Sequence, residues 1–175
     1  MKQDAKMNPR VAQPDVLATV RVEAAAFDVG REMALLTQGR TDVGAVVAFT
    51  GLCRDEGGAL AALEIEHYPG MAEDEIGRVV AKALERWPLQ GALVIHRYGR
   101  IAPGEPIVLV ITLSRHRSAA FAAAEFLMDY LKTAAPFWKK QHLVGDRPDG
   151  GWVAAKAEDD SATARWRLPE GSERD

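Results

Sequence analysis

The chain of 175 residues holds one cysteine, so it has no disulfide framework and no set of thiolates to cage zinc. Its four histidines, His67, His96, His116 and His142, stand in neither HxxxH nor HExxH spacing, and no clustered carboxylates complete a set. No metal and no resident cofactor is therefore expected. No apolar run approaches the ~20 residues of a membrane-spanning helix, because Arg, Glu, Asp or Lys interrupts each one. The opening MKQDAKMNPRVAQPD also lacks the apolar core of a signal peptide. A basic excess is missing too: Lys plus Arg number 22 against 25 for Asp plus Glu, a net charge of −3, which argues against a dedicated nucleic-acid binder. There is no phosphate-binding GxxxxGK(S/T), no GxGxxG and no G-x-S-x-G elbow around Ser114. A lone thiol in a chain with no leader makes the cytoplasm the expected location.

What is present is ordinary globular usage, 47% hydrophobic and 27% charged, in a length that suits one domain. A flexible arm is expected over residues 1–15, a folded domain over 16–167 and a flexible tail over 168–175. Val16–Val22 reads as a strand, and Asp28 as the N-cap of a helix running to about Gln38, with Gly39 as its stop. Gly44–Leu52 and Leu60–Tyr68 read as two antiparallel strands around the charged loop Arg54–Gly58. A second helix follows Pro69-Gly70, with Glu73, Asp74 and Glu75 at its positive end, apolar residues from Ile76 to Trp87 at helical spacing, and Pro88 as its end. Leu93–Tyr98 and Ile107–Leu113 read as strands joined by the turn-rich Gly99–Pro106. The third helix spans about Ser118 to Thr133, and Pro136 forces the chain extended through Phe137, Trp138 and Lys139. A short strand over Trp152–Ala155 and a short helix over Glu158–Arg165 complete the pattern. Strand pairs interleaved with helices predict an α+β fold.

Two segments have the composition of a site. Ser114-Arg115-His116-Arg117-Ser118 joins an apolar strand to a helix start, where free N–H groups and cationic side chains suit a phosphate or carboxylate. The same residues also fit a solvated loop with Ser118 as a plain N-cap. Lys132 and Lys139 flank the Pro136 bend among Tyr130, Phe137 and Trp138. A lysine in apolar surroundings near a second cation suits acid–base or nucleophilic work, whereas a lysine that covers apolar surface with its stem is purely structural. Arg54 stands beside Asp55 and Glu56, where a surface salt bridge is the simple alternative to a ligand contact. Cys53, next to an apolar strand, fits inert packing better than a thiolate nucleophile.

Four stretches together carry a resemblance: EHYPGM at 66–71, IHRYGRIAPGE at 95–105, SRHRSAAF at 114–121 and MDYLKTAAPFWKK at 128–140. The chain resembles, from about Val20 to Trp166, the large, catalytic subunit of molybdopterin synthase, the MoaE family. The resemblance implies an α+β fold of the α/β hammerhead type, with an antiparallel or mixed sheet and flanking helices. It further implies a homodimeric core within a heterotetramer. The implied partner is a small ubiquitin-like sulfur carrier whose C-terminal Gly-Gly bears a thiocarboxylate. The implied reaction is sulfurtransferase chemistry, with sulfur passing to cyclic pyranopterin monophosphate to form the dithiolene of molybdopterin.

By that similarity Lys132 is the acid–base or transiently covalent residue, and Lys139 stabilises negative charge during transfer. Arg54, His116 and Arg117 correspond to phosphate and pterin contacts. The backbone at Leu52 and Cys53, together with Lys140 and Gln141, is implied to line the same pocket. Phe49 and Met128 are implied for its apolar wall. Lys156 stands where relatives carry an arginine directed into the neighbouring subunit's site; lysine keeps the charge and loses the bidentate geometry. The alternatives are a non-catalytic dimeric scaffold that holds a phosphorylated ligand or a ubiquitin-like tail, and a small nucleotide- or RNA-binding domain built on Arg115–Arg117. The acidic net charge opposes the second of these, and the presence of both lysines opposes the first.

Overall fold

A computed structural model describes residues 16–55, 57–133, 135–145, 150–153 and 163–166. The arm at 1–15 and the tail at 168–175 lie outside the described residues. In chain order the elements are β1 (Leu17–Glu23), α1 (Val29–Thr37), β2 (Ala45–Leu52), β3 (Leu60–His67), α2 (Met71–Arg86), β4 (Leu89–Arg97), β5 (Gly99–Ile101), β6 (Pro106–Ser114), α3 (Arg117–Thr133), β7 (Phe137–Leu143) and β8 (Gly151–Trp152). They form one sheet of order β1-β4-β6-β2 and a second of order β5-β3-β7-β8. The β1–β4 pair is parallel and the remaining pairs are antiparallel, an α+β arrangement.

Strands β4 and β6 are nearly continuous apolar runs because helices cover both faces of their sheet. On one face Ala92, Val94, Val108 and Val110 pack with Ile76 and Val80 of α2 and with Ala123, Phe126 and Leu127 of α3. On the other, Leu93, Ile95, Leu109 and Ile111 pack with Leu36 of α1. The alternation has period two, so each residue's parity tells which face it joins. His96 shares the parity of Ala92 and Val94 and therefore faces the α2–α3 side.

The local signals act as expected at three helix boundaries. The Asp28 carboxylate accepts from the Arg31 N–H at 2.7 Å and caps α1. Glu73 accepts from the Gly70 N–H at 2.9 Å, and Gly70 takes a φ of +85° that side chains rarely adopt. After α3, the Phe137 N–H donates to the Ala135 carbonyl at 2.8 Å, and the chain runs straight into β7.

Four expectations need correction. β2 and β3 do not pair with each other; they lie in different sheets. β2 pairs with β6 along its whole length, from Ala45 opposite Ser114 to Leu52 opposite Pro106, and so joins the helix-covered core. As it leaves β2, Cys53 donates to the Glu105 carbonyl at 2.8 Å and accepts from the Gly104 N–H at 2.7 Å, which diverts the chain toward the second sheet. Next, Gly99–Pro106 is more than a turn: its first three residues form β5 and pair with Leu63–Ile65. Strand β4 also begins at Leu89, directly after Pro88, where Leu89 pairs with Ser114, and Gly91 permits a close approach to the Leu17 carbonyl. Ser118 lies within the first turn of α3 rather than capping it.

At the C-terminal end, Gly151–Trp152 pairs with Lys140 and Gln141, one residue earlier than the strand expected at Trp152–Ala155. Residues 154–162 lie outside the described residues. Thr163–Trp166 docks on α3: Asp129 accepts from Arg165 Nη2 and from Trp166 Nε1, each at 2.6 Å.

Candidate active site

The two sheets and the end of α3 meet around two adjoining cavities. The larger, about 480 Å³, is walled by Leu52, Cys53 and Arg54 after β2, Leu60 and Leu63 of β3, Ile107 of β6, Lys139, Gln141 and Leu143 of β7, and Ala59 and Val153. The smaller, about 230 Å³, is walled by Phe49, Gly51 and Leu52 of β2, His96 of β4, Ile107 and Val108 of β6, Met128, Leu131 and Lys132 of α3, and Lys139. Leu52, Ile107 and Lys139 belong to both walls, so Lys139 stands at the junction.

This convergence follows from local rules. Leu127 and Leu131 bury the apolar face of α3 against the sheet, which leaves Met128 and Lys132 at the edge of that contact, beside the strand ends. Pro136 then reverses the chain into β7, where alternation places Phe137, Lys139 and Gln141 on one face. The seven-residue spacing of the lysines thus becomes two cations on one cavity, Lys132 exposed at the rim and Lys139 half-buried.

The remaining site expectations divide into three groups. Phe49, Leu52, Cys53, Arg54, Met128 and Gln141 all line one or both cavities. The Cys53 backbone is already engaged by Glu105 and Gly104, and burial pushes its thiol above the ordinary range, so Cys53 is a neutral wall residue. The Asp55 carboxylate accepts from the N–H groups of Ala59 at 3.2 Å and Leu60 at 3.1 Å. Lys140 faces away from Lys139 by strand alternation and stands in register with Glu64. His116 and Arg117 are exposed at the opposite end of α3, roughly 22 Å of helix from Lys132. Within one chain they do not reach either cavity wall. Lys156 lies outside the described residues.

His96 is the wall residue that motif reading passed over, since an isolated histidine in an apolar strand carries no spacing signal. Its Nδ1 lies 2.9 Å from the Arg97 carbonyl, and its ring stacks on Phe137 with centroids 3.8 Å apart and planes 11° from parallel. Burial, above all, and then the charges of Lys139 and His67 hold it down to about 4, against the opposing pull of the Arg97 carbonyl. The consequence for stability has a definite sign. As pH falls from 6.5 toward about 4, the unfolded chain takes up a proton at His96 and the folded chain does not. Stability should therefore fall across that window by ~3 kcal/mol and be insensitive to this group above it. Urea midpoints of the wild type and His96→Gln between pH 4 and 7 check this; parallel slopes would clear His96 as the cause.

A family model described as MoaE protein matches residues 22–134. The molybdopterin synthase catalytic subunit of Mesorhizobium japonicum (strain LMG 29417 / CECT 9101 / MAFF 303099) is 66% identical over 149 residues, which are 85% of this chain and 93% of that protein. Among solved structures, the molybdopterin biosynthesis MoaE protein of Burkholderia ambifaria MC40-6 superposes with a TM-score of 0.72 at 44% identity, covering 86% of this chain and 98% of that one. A chain from the complex of subunits 1 and 2 of the molybdopterin-converting factor of Helicobacter pylori 26695 has a TM-score of 0.62 at 21% identity, covering 75% and 89%, a likeness of fold.

Proposed function

The chain belongs to the MoaE family of molybdopterin synthase catalytic subunits, and from that premise we propose that Lys132 and Lys139 carry its sulfur transfer at the junction of the two cavities. The activity is that of a sulfurtransferase: sulfur passes from the C-terminal thiocarboxylate of a small ubiquitin-like carrier to cyclic pyranopterin monophosphate, and a dithiolene results. The observation that carries the assignment of residues is that a helix end and a strand separated by Pro136 bring both ammonium groups to one wall.

The smaller cavity suits a chain end of two glycines, which has no side chains to accommodate. The larger has the size of a pterin site, with Arg54 on its wall for the phosphate. Each of the two sulfurs arrives on its own carrier: the thiocarboxylate sulfur bonds to an electrophilic carbon of the substrate as that carbon's bond to oxygen breaks and the oxygen leaves with a proton, which joins carrier and pterin as a thioester. The acyl–sulfur bond then breaks as a nucleophile takes the acyl carbon. Sulfur stays on the pterin, and the acyl group leaves on water as a carboxylate or on a lysine as an amide. Lys132 serves as the proton carrier or the transiently acylated amine. The Lys139 ammonium stabilises the negative charge that develops on the acyl oxygen.

His116 and Arg117 serve the anionic end of the substrate from a second copy of the chain; the length of α3 supports this, as does the dimeric core that the resemblance implies. The reaction belongs in the cytoplasm, where the lone Cys53 thiol stays reduced. The test is reconstitution of the full chain with thiocarboxylated carrier and pterin precursor. Dithiolene product is expected; ligand binding without product would instead favour a scaffold.

A further inference from the structure

We propose that His96 is a positioning residue of this site, its Nε2 accepting a hydrogen bond from the Lys139 ammonium and holding that cation at the junction of the two cavities. The proposal rests on the reading of Lys139 above and adds to it a residue that neither the lysine motif nor the anion-binding segment contains.

Three features carry it. First, a carbonyl oxygen can only accept, so the 2.9 Å contact to the Arg97 carbonyl requires that His96 Nδ1 bear the hydrogen. The neutral ring then has its lone pair on Nε2, the nitrogen left for the cavity that His96 lines. Second, the ring is fixed. It stacks on Phe137, and Phe137 shares a strand face with Lys139, which lines the same cavity and whose charge acts on the ring. Third, His96 is 5% exposed, and burial keeps it uncharged at neutral pH. A protonated ring would offer a second donor and repel Lys139. Lys132 lines the same cavity, and His67 also acts on the ring; the His67 ring lies 6.2 Å from Phe137 and 4.5 Å from Tyr98, and it is on neither cavity wall.

The amides of glutamine and asparagine separate the two ring nitrogens. His96→Gln can place an oxygen near the Nε2 position but gives up the bond to the Arg97 carbonyl. His96→Asn can keep that bond and leaves nothing at Nε2. In the reconstituted reaction, His96→Gln should hold kcat within about threefold of wild type. His96→Asn should lose about tenfold or more in kcat with KM for the carrier little changed, as for an interaction made in the transition state. A merely structural role predicts the reverse order, and that order, or equal losses that track melting temperature, would overturn the proposal.

Imidazole nitrogen resonances of the wild-type protein provide a second measurement that needs no variant of His96. They should show Nδ1–H with an unprotonated Nε2, and the Nε2 signal should move when Lys139→Gln removes the ammonium. An Nε2 signal that stays in place refutes the contact. A wild type that forms no dithiolene while the signal does move would strike the transfer reading and leave the His96–Lys139 contact standing.

Discussion

Replacing Lys132 with alanine should slow dithiolene formation by about 10³-fold or more while carrier affinity stays within about threefold. Lys132 sits in the last turn of α3, exposed at the rim of the smaller cavity, with Met128 and Leu131 forming the wall below it. Truncation removes the amine and leaves that wall in place, so the site for the carrier's chain end survives. The charge that holds an anionic end also survives in part, because Lys139 stands on the same wall. Losing a proton carrier or acylated amine affects only the transition state, and the expected signature is a fall in kcat without a matching rise in KM. Single-turnover kinetics with thiocarboxylated carrier, paired with calorimetric titration of the same carrier, measure the two quantities separately. Turnover within tenfold of wild type would remove Lys132 from its role, and a large loss of affinity would recast it as a binding residue.

Phe126→Ala should destabilise the fold by about 3–5 kcal/mol, the largest loss expected from a single truncation in the core. Phe126 is fully buried, with ring centroids 4.8 Å from Tyr130, 5.2 Å from Trp87 and 5.5 Å from Trp166, and the Arg86 guanidinium 5.0 Å from its ring. Its side chain therefore ties together α2, α3 and the docked Thr163–Trp166 segment, and alanine leaves a cavity that all three border. Lys132 is about 1.7 helical turns further along α3, where Leu127 and Leu131 of the same core cluster remain packed against the sheet. Chemical denaturation should show the lost stability, whereas kcat measured well below the melting temperature should stay close to wild type. A loss under about 1 kcal/mol would mean that neighbouring rings collapse into the space. A proportionate fall in kcat would mean that α3 transmits the change to Lys132.

Much of this molecule is written locally. The Asp28 cap, the helix start after Pro69-Gly70, the long third helix and the Pro136 bend each depend on a few adjacent residues, and each forms as the sequence predicts. The same is true of the lysine pair: a helix, a forced turn and a strand suffice to bring positions 132 and 139 to one place. MDYLKTAAPFWKK is informative because it encodes the chemistry and the bend that focuses it within a single stretch.

Strand partnership is different in kind. Gly44–Leu52 and Leu60–Tyr68 look like a hairpin because they are neighbours in sequence, yet β2 joins β6, whose apolar length lets it share the helix-covered core. That choice depends on how much surface two distant segments can bury together, a quantity that hydrophobic period does not carry. It also shapes the site. Splitting β2 and β3 between two sheets creates the space between them, and Leu52, Cys53 and Arg54 line it. His96 acquires its place from strand parity, the Arg97 carbonyl and the Phe137 ring, none of which marks it in the sequence. His116 and Arg117 show the converse: their composition is that of an anion site, but α3 holds them a full helix length from the lysines. The sequence by itself determined the three long helices, the strands other than β5, the bend and the family, because each follows from short-range periodicity or from a contiguous motif. Only the tertiary structure decided which strands pair, where the cavities open and which histidine lines a cavity with Lys139, because those outcomes are set by burial between segments far apart along the chain.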